Sequence, residues 1–284
     1  MGLALVLAGG GITGIAWETG VLRGLLDEDV DLTGAADLVV GTSAGSTVGA
    51  QVLGDPDLDR RYAAQLDDAH GEITPELDFD LLISIFAEVG GGKTLDEAAC
   101  ARIGALALAH DAVAEEVRRK VIEARLPSHE WPESPLRITA VDALSGELVV
   151  FDRASGVDLV DAVAASCAVP GVWPPVTIGD RRYIDGGVRS AANADLARDD
   201  EFAVVLAPLT GPVATMLQAD VDTLEAGGTT VVVVTADAEA TEAMGPNPLD
   251  AGFRRPAAEH GRRQGRAAAP AVRTAIEQAG GPPA

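Results

Sequence analysis

Short apolar runs followed by glycines organise the start of the chain. Residues 3–8 form a continuous apolar run that ends in Gly9-Gly10-Gly11, and a helical pattern covers residues 12–26. Residues 38–40 lead in the same way into Gly41-Thr42-Ser43-Ala44-Gly45 and a helix of small residues. Strands that alternate with helices at this spacing predict βαβ units and a largely parallel sheet covered on both faces.

The middle of the chain has a mainly helical pattern. We expect residues 55–126 to form a helical elaboration of the domain, interrupted at Gly90-Gly91-Gly92. Within this region, Thr94 and Glu97 have the spacing of a capping box. That spacing predicts a helix capped by Thr94.

Strand-like runs return in the second half of the chain. Residues 136–141 and 147–151 predict a hairpin, and residues 158–167 predict a helix. A short strand then ends in Asp185-Gly186-Gly187, and two further strands are predicted after residue 200. With 284 residues, 47% of them hydrophobic, the chain can bury a substantial core. We predict one α/β domain over residues 1–250.

The charge of the chain divides at about residue 250. Residues 1–250 carry 15 basic and 42 acidic side chains, whereas residues 251–284 carry 6 and 2. The formal net charge of −23 argues against nucleic acid as a partner, because phosphate binding needs concentrated Lys and Arg. We therefore treat residues 251–284 as a basic C-terminal helical tail.

Four arginines of this tail fall close to one side of an ideal helix: Arg255, Arg262, Arg266 and Arg273. Their alignment suggests docking on an anionic lipid surface. Pairing with the acidic surface of the protein itself is the favoured alternative, because charge runs are usually solvated faces.

Two cysteines are present, Cys100 and Cys167, each in an alanine-rich stretch with a helical pattern. A disulfide framework is therefore not expected, and a reducing compartment, the cytoplasm, is predicted. No apolar run approaches the roughly 20 residues needed to span a bilayer. Any contact with a membrane is expected to be peripheral.

Gly41-X-Ser43-X-Gly45, directly after a buried strand and before a helix, has the form of a nucleophile elbow. Small flanking residues let the backbone turn sharply and expose the serine hydroxyl above the helix N-terminus, where developing negative charge is stabilised. The same five residues also fit a glycine turn whose serine only caps the helix. The elbow alone does not decide between these readings.

The glycines at residues 9–11 supply a second element of an acyl-transfer site. On an adjacent parallel strand, their N–H groups would face Ser43 as an oxyanion hole. The stretch also fits the dinucleotide-binding pattern Gly-X-Gly-X-X-Gly, which needs an acidic residue at the end of the second strand. That strand ends in Gly41-Thr42-Ser43 instead, so the dinucleotide interpretation is rejected.

Asp185 follows a strand, and its two glycines allow a carboxylate to be presented from a tight turn. An isolated Asp-Gly-Gly is usually only a turn, so its meaning depends on the other motifs. None of the four histidines, His70, His110, His129 and His260, lies in or near these motifs.

Together the three motifs resemble the patatin-like phospholipase family. Its pattern is a Gly-Gly-Gly-X-Arg/Lys-Gly oxyanion loop, a Gly-X-Ser-X-Gly elbow and a late Asp-Gly-Gly/Ala, in that order. Residues 165–170, Ala-Ser-Cys-Ala-Val-Pro, are similar to the Ala-Ser-X-X-X-Pro block of the family, and the resemblance covers roughly residues 3–200. Thr13 departs from the pattern, since the family often has Arg or Lys at this position.

The resemblance implies a three-layer α/β sandwich with a largely parallel central sheet flanked by helices. It implies a dyad of Ser43 and Asp185 that hydrolyses fatty-acyl esters through an acyl-enzyme, as a phospholipase A, lysophospholipase or lipid esterase. Gly9, Gly10 and Gly11 would form the oxyanion hole. A lipid or acyl-ester substrate is the expected partner, and neither a metal nor a cofactor is expected. The oligomeric state is not indicated.

Three other interpretations stay open. A triad of Ser43, Asp185 and His260 has the chain order of an α/β-hydrolase, although its nucleophile would follow an unusually early strand. Residues 87–94 loosely resemble a phosphate-binding loop, with Lys93 for phosphate and Thr94 for magnesium, which would suggest a nucleotide-binding regulatory protein. A catalytically weak lipid-binding protein is the third, because Thr13 removes a cation from the oxyanion loop.

Overall fold

The computed structural model describes residues 2–67, 72–73, 85, 94–110, 112–209 and 214–280, without the side chains of residues 214–216. The described strands form one sheet in the order β5-β6-β3-β2-β1-β7-β8, and β4 pairs with β3 beside this path. They are β1 (Leu3–Leu7), β2 (Leu38–Thr42), β3 (Leu136–Asp142), β4 (Leu148–Phe151), β5 (Val176–Ile178), β6 (Arg181–Asp185), β7 (Phe202–Ala207) and β8 (Thr230–Thr235).

Helices cover the sheet, and short 3-10 turns follow Asp185 and Asn193. The described α-helices are α1 (Gly11–Leu26), α2 (Leu32–Ala35), α3 (Ala44–Gly54), α4 (Leu58–Leu66), α5 (Glu97–Ala109), α6 (Glu115–Arg125), α7 (Leu159–Ser166), α8 (Ala214–Ala226), α9 (Ala238–Met244) and α10 (Arg254–Gln278).

The centre of the sheet is parallel and its far edge is antiparallel. β1 pairs in parallel with β2 and β7, β2 with β3, and β7 with β8. β4 and β6 pair antiparallel with β3, and β5 pairs antiparallel with β6. Every residue of β1 and β2 is buried, because helices cover both faces of the sheet. The predicted α/β class with a largely parallel sheet is confirmed.

The predicted helical elaboration contains α4, α5 and α6 among the described residues. The prediction that Thr94 caps a helix is wrong. Helix α5 begins at Glu97, and its cap is Asp96, whose carboxylate accepts the N–H of Ala99 at 2.8 Å. Asp96 is adjacent to the first helical residue, where a cap accepts the free N–H groups. Gly90-Gly91-Gly92 and Lys93 lie outside the described residues.

The C-terminal helix α10 packs directly on α1. A side chain at Gly20 would collide with the carbonyl of Ala258, and one at Gly265 would collide with the carbonyl of Val21. Glycines at the contact therefore let the two helix backbones touch. The predicted basic tail is thus helical over Arg254–Gln278 and buries one face against the domain.

Arginines of α10 pair with an acidic residue of the domain. Arg262 Nε lies 2.7 Å from Asp27 Oδ2, and Arg266 Nε lies 2.6 Å from the same oxygen. Arg23 Nη1 contacts Asp27 Oδ1 at 2.6 Å. Hydrogen bonding from Arg262 is the largest cause that lowers the pKa of Asp27 to about 2. These pairs favour the interpretation in which the tail arginines neutralise the protein's own acidic surface. None of the described helices is long and apolar enough to cross a bilayer.

Candidate active site

Ser43 lies at a sharp turn between β2 and α3. Its backbone has φ 53° and ψ −115°, a left-handed conformation that is strained for a residue with a side chain. Close packing explains the flanking glycines, because a Cβ at Gly41 would lie 2.6 Å from Ser46 Cα and one at Gly45 would collide with the carbonyl of Leu7. The turn has the geometry of a nucleophile elbow, as the sequence predicted.

The end of α7 holds the backbone of this turn. The N–H of Ser43 donates to the buried Oγ of Ser166 at 2.9 Å, and Cys167 Sγ donates to the carbonyl of Ser43 at 3.3 Å. Both residues belong to the Ala-Ser-X-X-X-Pro stretch. Its resemblance to the family pattern did not indicate what these two residues do. The structure shows that this stretch fixes the conformation of Ser43.

The glycine loop lies beside the elbow because β1 and β2 are parallel neighbours. Leu7 is opposite Gly41 in their register, and the N–H of Gly45 donates to the carbonyl of Ala8 at 3.0 Å. A Cβ at Gly9 would lie 3.5 Å from the Cβ of Ser43. The predicted proximity of the loop to Ser43 is therefore confirmed.

The N–H groups of the loop differ in what they bind. The structure departs from the sequence prediction at Gly9, whose N–H donates to the carbonyl of Ala191 at 2.9 Å and so is not free for an oxyanion. Within the described part of the chain, the N–H groups of Gly10, Gly11 and Ala44 have no acceptor. Gly11 and Ala44 begin helices, where the first N–H groups lack partners and favour negative charge.

Asp185 ends β6 and is almost completely buried, with 4% of its surface exposed. Its N–H donates to the carbonyl of Ala168 at 3.0 Å, and its Oδ1 accepts the N–H of Gly187 at 2.7 Å. Among the described residues, Oδ2 has no hydrogen-bond partner of normal geometry. One carboxylate oxygen is therefore fixed by the turn and the other is free.

The charge of Asp185 depends on its burial. Burial raises the pKa of this carboxyl to about 7, while the Ser43 hydroxyl, the Gly187 N–H and Arg118 act in the opposite direction. The hydroxyl is thus close enough to lower the pKa of Asp185, although it forms no hydrogen bond of normal geometry with Oδ2. A carboxylate with a pKa near neutrality is suited to accept and return a proton.

A buried asparagine joins the elements that carry Ser43 and Asp185. Asn193 Nδ2 donates to Thr42 Oγ1 at 3.1 Å and to the carbonyl of Gly186 at 3.1 Å. Thr42 and Thr139 share a hydrogen bond of 2.8 Å between their hydroxyls. Asn193 is one of three described non-glycine residues with a positive φ, at 48°. It fixes the position of β2 relative to the Asp185 turn, a role that the sequence did not reveal.

A pocket opens next to Ser43. Its walls are mostly apolar, but two arginines of α6 reach it, and one wall comes from the loop before α10. It is lined by Gly11, Ile12, Ile15, Ser43, Ala44, Arg118, Arg125, Cys167, Val169, Trp173 and Leu249. A mostly apolar pocket with a few polar groups beside a serine marks the candidate site for the ester that Ser43 would attack.

Thr13, which replaces the cation of the family pattern, is buried away from this pocket. Its N–H donates to the carbonyl of Pro248 at 3.0 Å, and its Oγ1 lies 3.5 Å from the same oxygen. Leu249, the next residue, lines the pocket. No local sequence signal places residues 248–249 at the glycine loop, because more than 200 positions separate the two segments.

Among the described residues, the contacts of His129 and His260 lie away from Ser43 and Asp185. His260 Nε2 lies 3.2 Å from Asp237 Oδ1, and its Nδ1 contacts Arg263 at 2.6 Å. His129 is exposed and contacts Glu123, while His70 lies outside the described residues. The triad with His260 is therefore excluded. Among the described residues, no cluster of three or more His, Cys, Asp or Glu side chains could hold a metal.

Three solved structures are similar to this chain at low sequence identity. VipD from Legionella pneumophila is 13% identical with a TM-score of 0.43, over 94% of this chain and 66% of VipD. The type III effector protein ExoU is 17% identical with a TM-score of 0.38, over 97% and 53% of the two chains. A chain of the ExoU-SpcU complex from Pseudomonas aeruginosa is 16% identical with a TM-score of 0.36, over 98% and 57%. The present chain spans between half and two thirds of these proteins.

A family model described as Patatin-like phospholipase matches residues 5–198. The match includes the glycine loop, the elbow, residues 165–170 and the Asp185 turn, whereas Leu249 and α10 lie beyond it. It covers more than half of the chain and both residues that the sequence singled out as nucleophile and base. The chain therefore belongs to the patatin-like phospholipase family of serine hydrolases.

Proposed function

We propose that this protein hydrolyses fatty-acyl esters of lipids through an acyl-enzyme, with Ser43 as nucleophile and Asp185 as base. One observation carries the proposal: the buried carboxyl of Asp185 lies close enough to the hydroxyl of the strained elbow serine for that hydroxyl to lower its pKa, and its Oδ2 has no hydrogen-bond partner of normal geometry among the described residues. A free carboxylate oxygen beside a serine hydroxyl can accept its proton.

In the first step, Ser43 Oγ attacks the carbonyl carbon of the ester, and its proton passes to Asp185 Oδ2. The carbonyl oxygen becomes an oxyanion, which the N–H groups of Gly10, Gly11 and Ala44 stabilise. The intermediate then collapses, the bond to the leaving alcohol breaks, and the alcohol takes the proton from Asp185. The acyl group stays on Ser43.

In the second step, Asp185 accepts a proton from a water molecule that attacks the acyl-enzyme. The bond between Ser43 Oγ and the acyl carbon breaks, and the proton returns from Asp185 to Ser43. The fatty acid leaves, and both residues regain their initial states. The N–H of Gly187 binds Oδ1 throughout, which leaves Oδ2 for the proton transfers.

Labelling with a fluorophosphonate tests the nucleophile. We expect the label on the peptide that contains Ser43, and we expect Ser43→Ala to abolish both labelling and hydrolysis of short acyl esters. Ser155→Ala, at an exposed serine, is the matched control and should retain both. A label on another serine, or an active Ser43→Ala variant, would contradict the proposal.

The alternatives receive less support. For a nucleotide-binding protein, Thr94 should be free to bind magnesium, but its hydroxyl donates to Asp220 Oδ1 at 3.1 Å. A lipid-binding protein without turnover would not require a free carboxylate oxygen beside a strained serine. The labelling experiment separates this last alternative from the proposed hydrolase.

A further inference from the structure

Arg118, a buried arginine with two guanidinium nitrogens that lack hydrogen-bond partners among the described residues, lines the same pocket as Ser43. Arg118 of α6 is 4% exposed, and its Nε and Nη1 have no hydrogen-bond partner among the described residues. Its guanidinium carbon lies 3.8 Å from the centroid of the Trp173 ring. A buried charged donor without a partner lowers the stability of the fold, so its presence suggests that it binds a ligand.

The neighbouring arginines of α6 differ from Arg118 in this respect. Arg125 makes a bidentate ion pair with Glu72, with contacts of 2.9 Å and 2.6 Å. Arg119 Nε lies 2.5 Å from Asp161 Oδ1. Arg118 has no ion pair of this kind among the described residues. The carboxylates of Glu72 and Asp185 raise the pKa of Arg118. Glu72 is already paired with Arg125, and Asp185 Oδ1 accepts the N–H of Gly187.

Arg118 remains a cation in this environment. Burial lowers the pKa of its guanidinium to about 10, which leaves it protonated at neutral pH. The donors of a guanidinium lie in its plane, so an arginine over the face of a ring still offers its edge to a ligand. That edge matches the two oxygens of a phosphate or carboxylate.

We propose that Arg118 binds an anionic group of the substrate, a phosphate or a carboxylate, beside the ester bond that Ser43 attacks. The inference rests on the proposed function and narrows its substrate class to acyl esters that carry a negative charge near the ester. Arg118 is then a specificity-determining residue. It acts from α6, a helix without any of the three sequence motifs.

Matched substrates test this specificity. Three esters with the same acyl chain are compared: an acylglycerol phosphate, an acyl ester of glycolate, and a neutral monoacylglycerol. In Arg118→Gln we expect kcat/KM for the preferred anionic ester to fall about tenfold or more relative to that for monoacylglycerol. The anionic ester with the larger relative loss identifies phosphate or carboxylate as the ligand.

Arg119→Gln is the matched control, because it removes the same charge from the adjacent position without reaching the pocket. Its ratio of anionic to neutral kcat/KM should equal that of the wild type. Arg118→Lys keeps the charge but loses the planar pair of donors, so it should retain part of the preference. An unchanged ratio in Arg118→Gln would overturn the proposal.

Direct binding separates this proposal from the proposed catalysis. In the Ser43→Ala background, calorimetry with dodecyl phosphate and with laurate should give a Kd about tenfold weaker or more when Arg118→Gln is added. Equal affinity with and without Arg118 overturns the inference. If Ser43 is not labelled by fluorophosphonate but anions still require Arg118, the proposed hydrolysis fails and the anion site stands. If Arg118→Gln does not fold, Arg118→Lys carries the same comparisons.

Discussion

The backbone N–H of Ser43 donates to the hydroxyl oxygen of Ser166 at 2.9 Å. This hydrogen bond joins the nucleophile elbow to the end of α7. Because Ser43 has a positive φ, its conformation depends on such external contacts. The backbone conformation of Ser43 is thus supported by a residue 123 positions away in the sequence.

Ser166→Ala should impair both stability and activity. A buried N–H without an acceptor costs about 1–3 kcal/mol, and loss of the contact releases the strained turn. We expect the free energy of unfolding to fall by that amount and kcat to fall about tenfold or more. Denaturant titration and ester hydrolysis measure the two effects, with Ser155→Ala as the control. Full kcat in a folded Ser166→Ala variant would show that the contact is not needed for positioning.

The raised pKa of Asp185 predicts the pH dependence of hydrolysis. The base must be ionised, so kcat/KM should decline as the pH falls below about 7, the value to which burial raises this pKa. Asp185→Asn should lower turnover by on the order of a hundredfold or more, since an amide cannot accept the proton. Asp180→Asn, at an exposed position before β6, controls for the loss of charge. A rate that is constant from pH 5 to pH 8 would exclude Asp185 as the base.

The ionisation of Asp185 has opposite effects on activity and on stability, because hydrolysis needs the ionised carboxylate whereas the folded state favours the neutral carboxyl. Its pKa is higher in the folded protein than in the unfolded chain, so its contribution to stability is present at low pH and is lost as the pH rises through about 7. Asp185→Asn should therefore stabilise the fold relative to the wild type at pH 8 more than at pH 5. Thermal unfolding at the two pH values measures the difference.

Two glycines of the oxyanion loop should differ in their sensitivity to substitution. A Cβ at Gly10 would collide with Pro208 and shift an N–H that has no described acceptor, so Gly10→Ala should lower turnover about a hundredfold. Gly9→Ala should have a smaller effect, because its N–H is bound to Ala191 and its Cβ would make an ordinary contact of 3.5 Å with Ser43. Steady-state kinetics on one ester compares them. If Gly9→Ala loses as much turnover as Gly10→Ala or more, the N–H of Gly9 does contribute to the oxyanion hole.

Asp27 should make the fold sensitive to acid. Because Arg262 and its neighbours lower the pKa of Asp27 to about 2, the stability that Asp27 contributes is present above pH 4 and is lost as the pH falls toward 2. We expect Asp27→Asn to reduce the free energy of unfolding at pH 7 by about 2 kcal/mol. Asp29→Asn removes an equal charge from an exposed site and should change little. No difference between these variants would mean that the contact between α10 and α1 rests on packing alone.

Local pattern was sufficient to predict the elements that bear the candidate site. The apolar runs at β1 and β2, each followed by glycines, predicted two strand-turn-helix units, and the sheet confirms that they are parallel neighbours. Such patterns are informative because burial on both faces and tight turns restrict which residues a segment can contain. They also singled out Ser43 and Asp185, whose roles as nucleophile and base stay predictions.

Tertiary structure alone decided which groups complete the site. Four residues reach the site from separate elements: Ser166, Asn193, Arg118 and Leu249. The N–H of Gly9 is not available to an oxyanion, because it donates to the carbonyl of Ala191. In the sequence, Arg118 has the pattern of a solvated helix face, Glu-Glu-Val-Arg-Arg-Lys, whereas in the folded chain it is buried and packs against Trp173. Likewise, the basic tail was expected to contact either a membrane or the protein, and its contact with Asp27 depends on how α10 lies on α1. A sequence pattern reports the preferences of neighbouring residues, whereas the partners of a buried charge or a backbone N–H are set by distant segments that meet only in the folded chain.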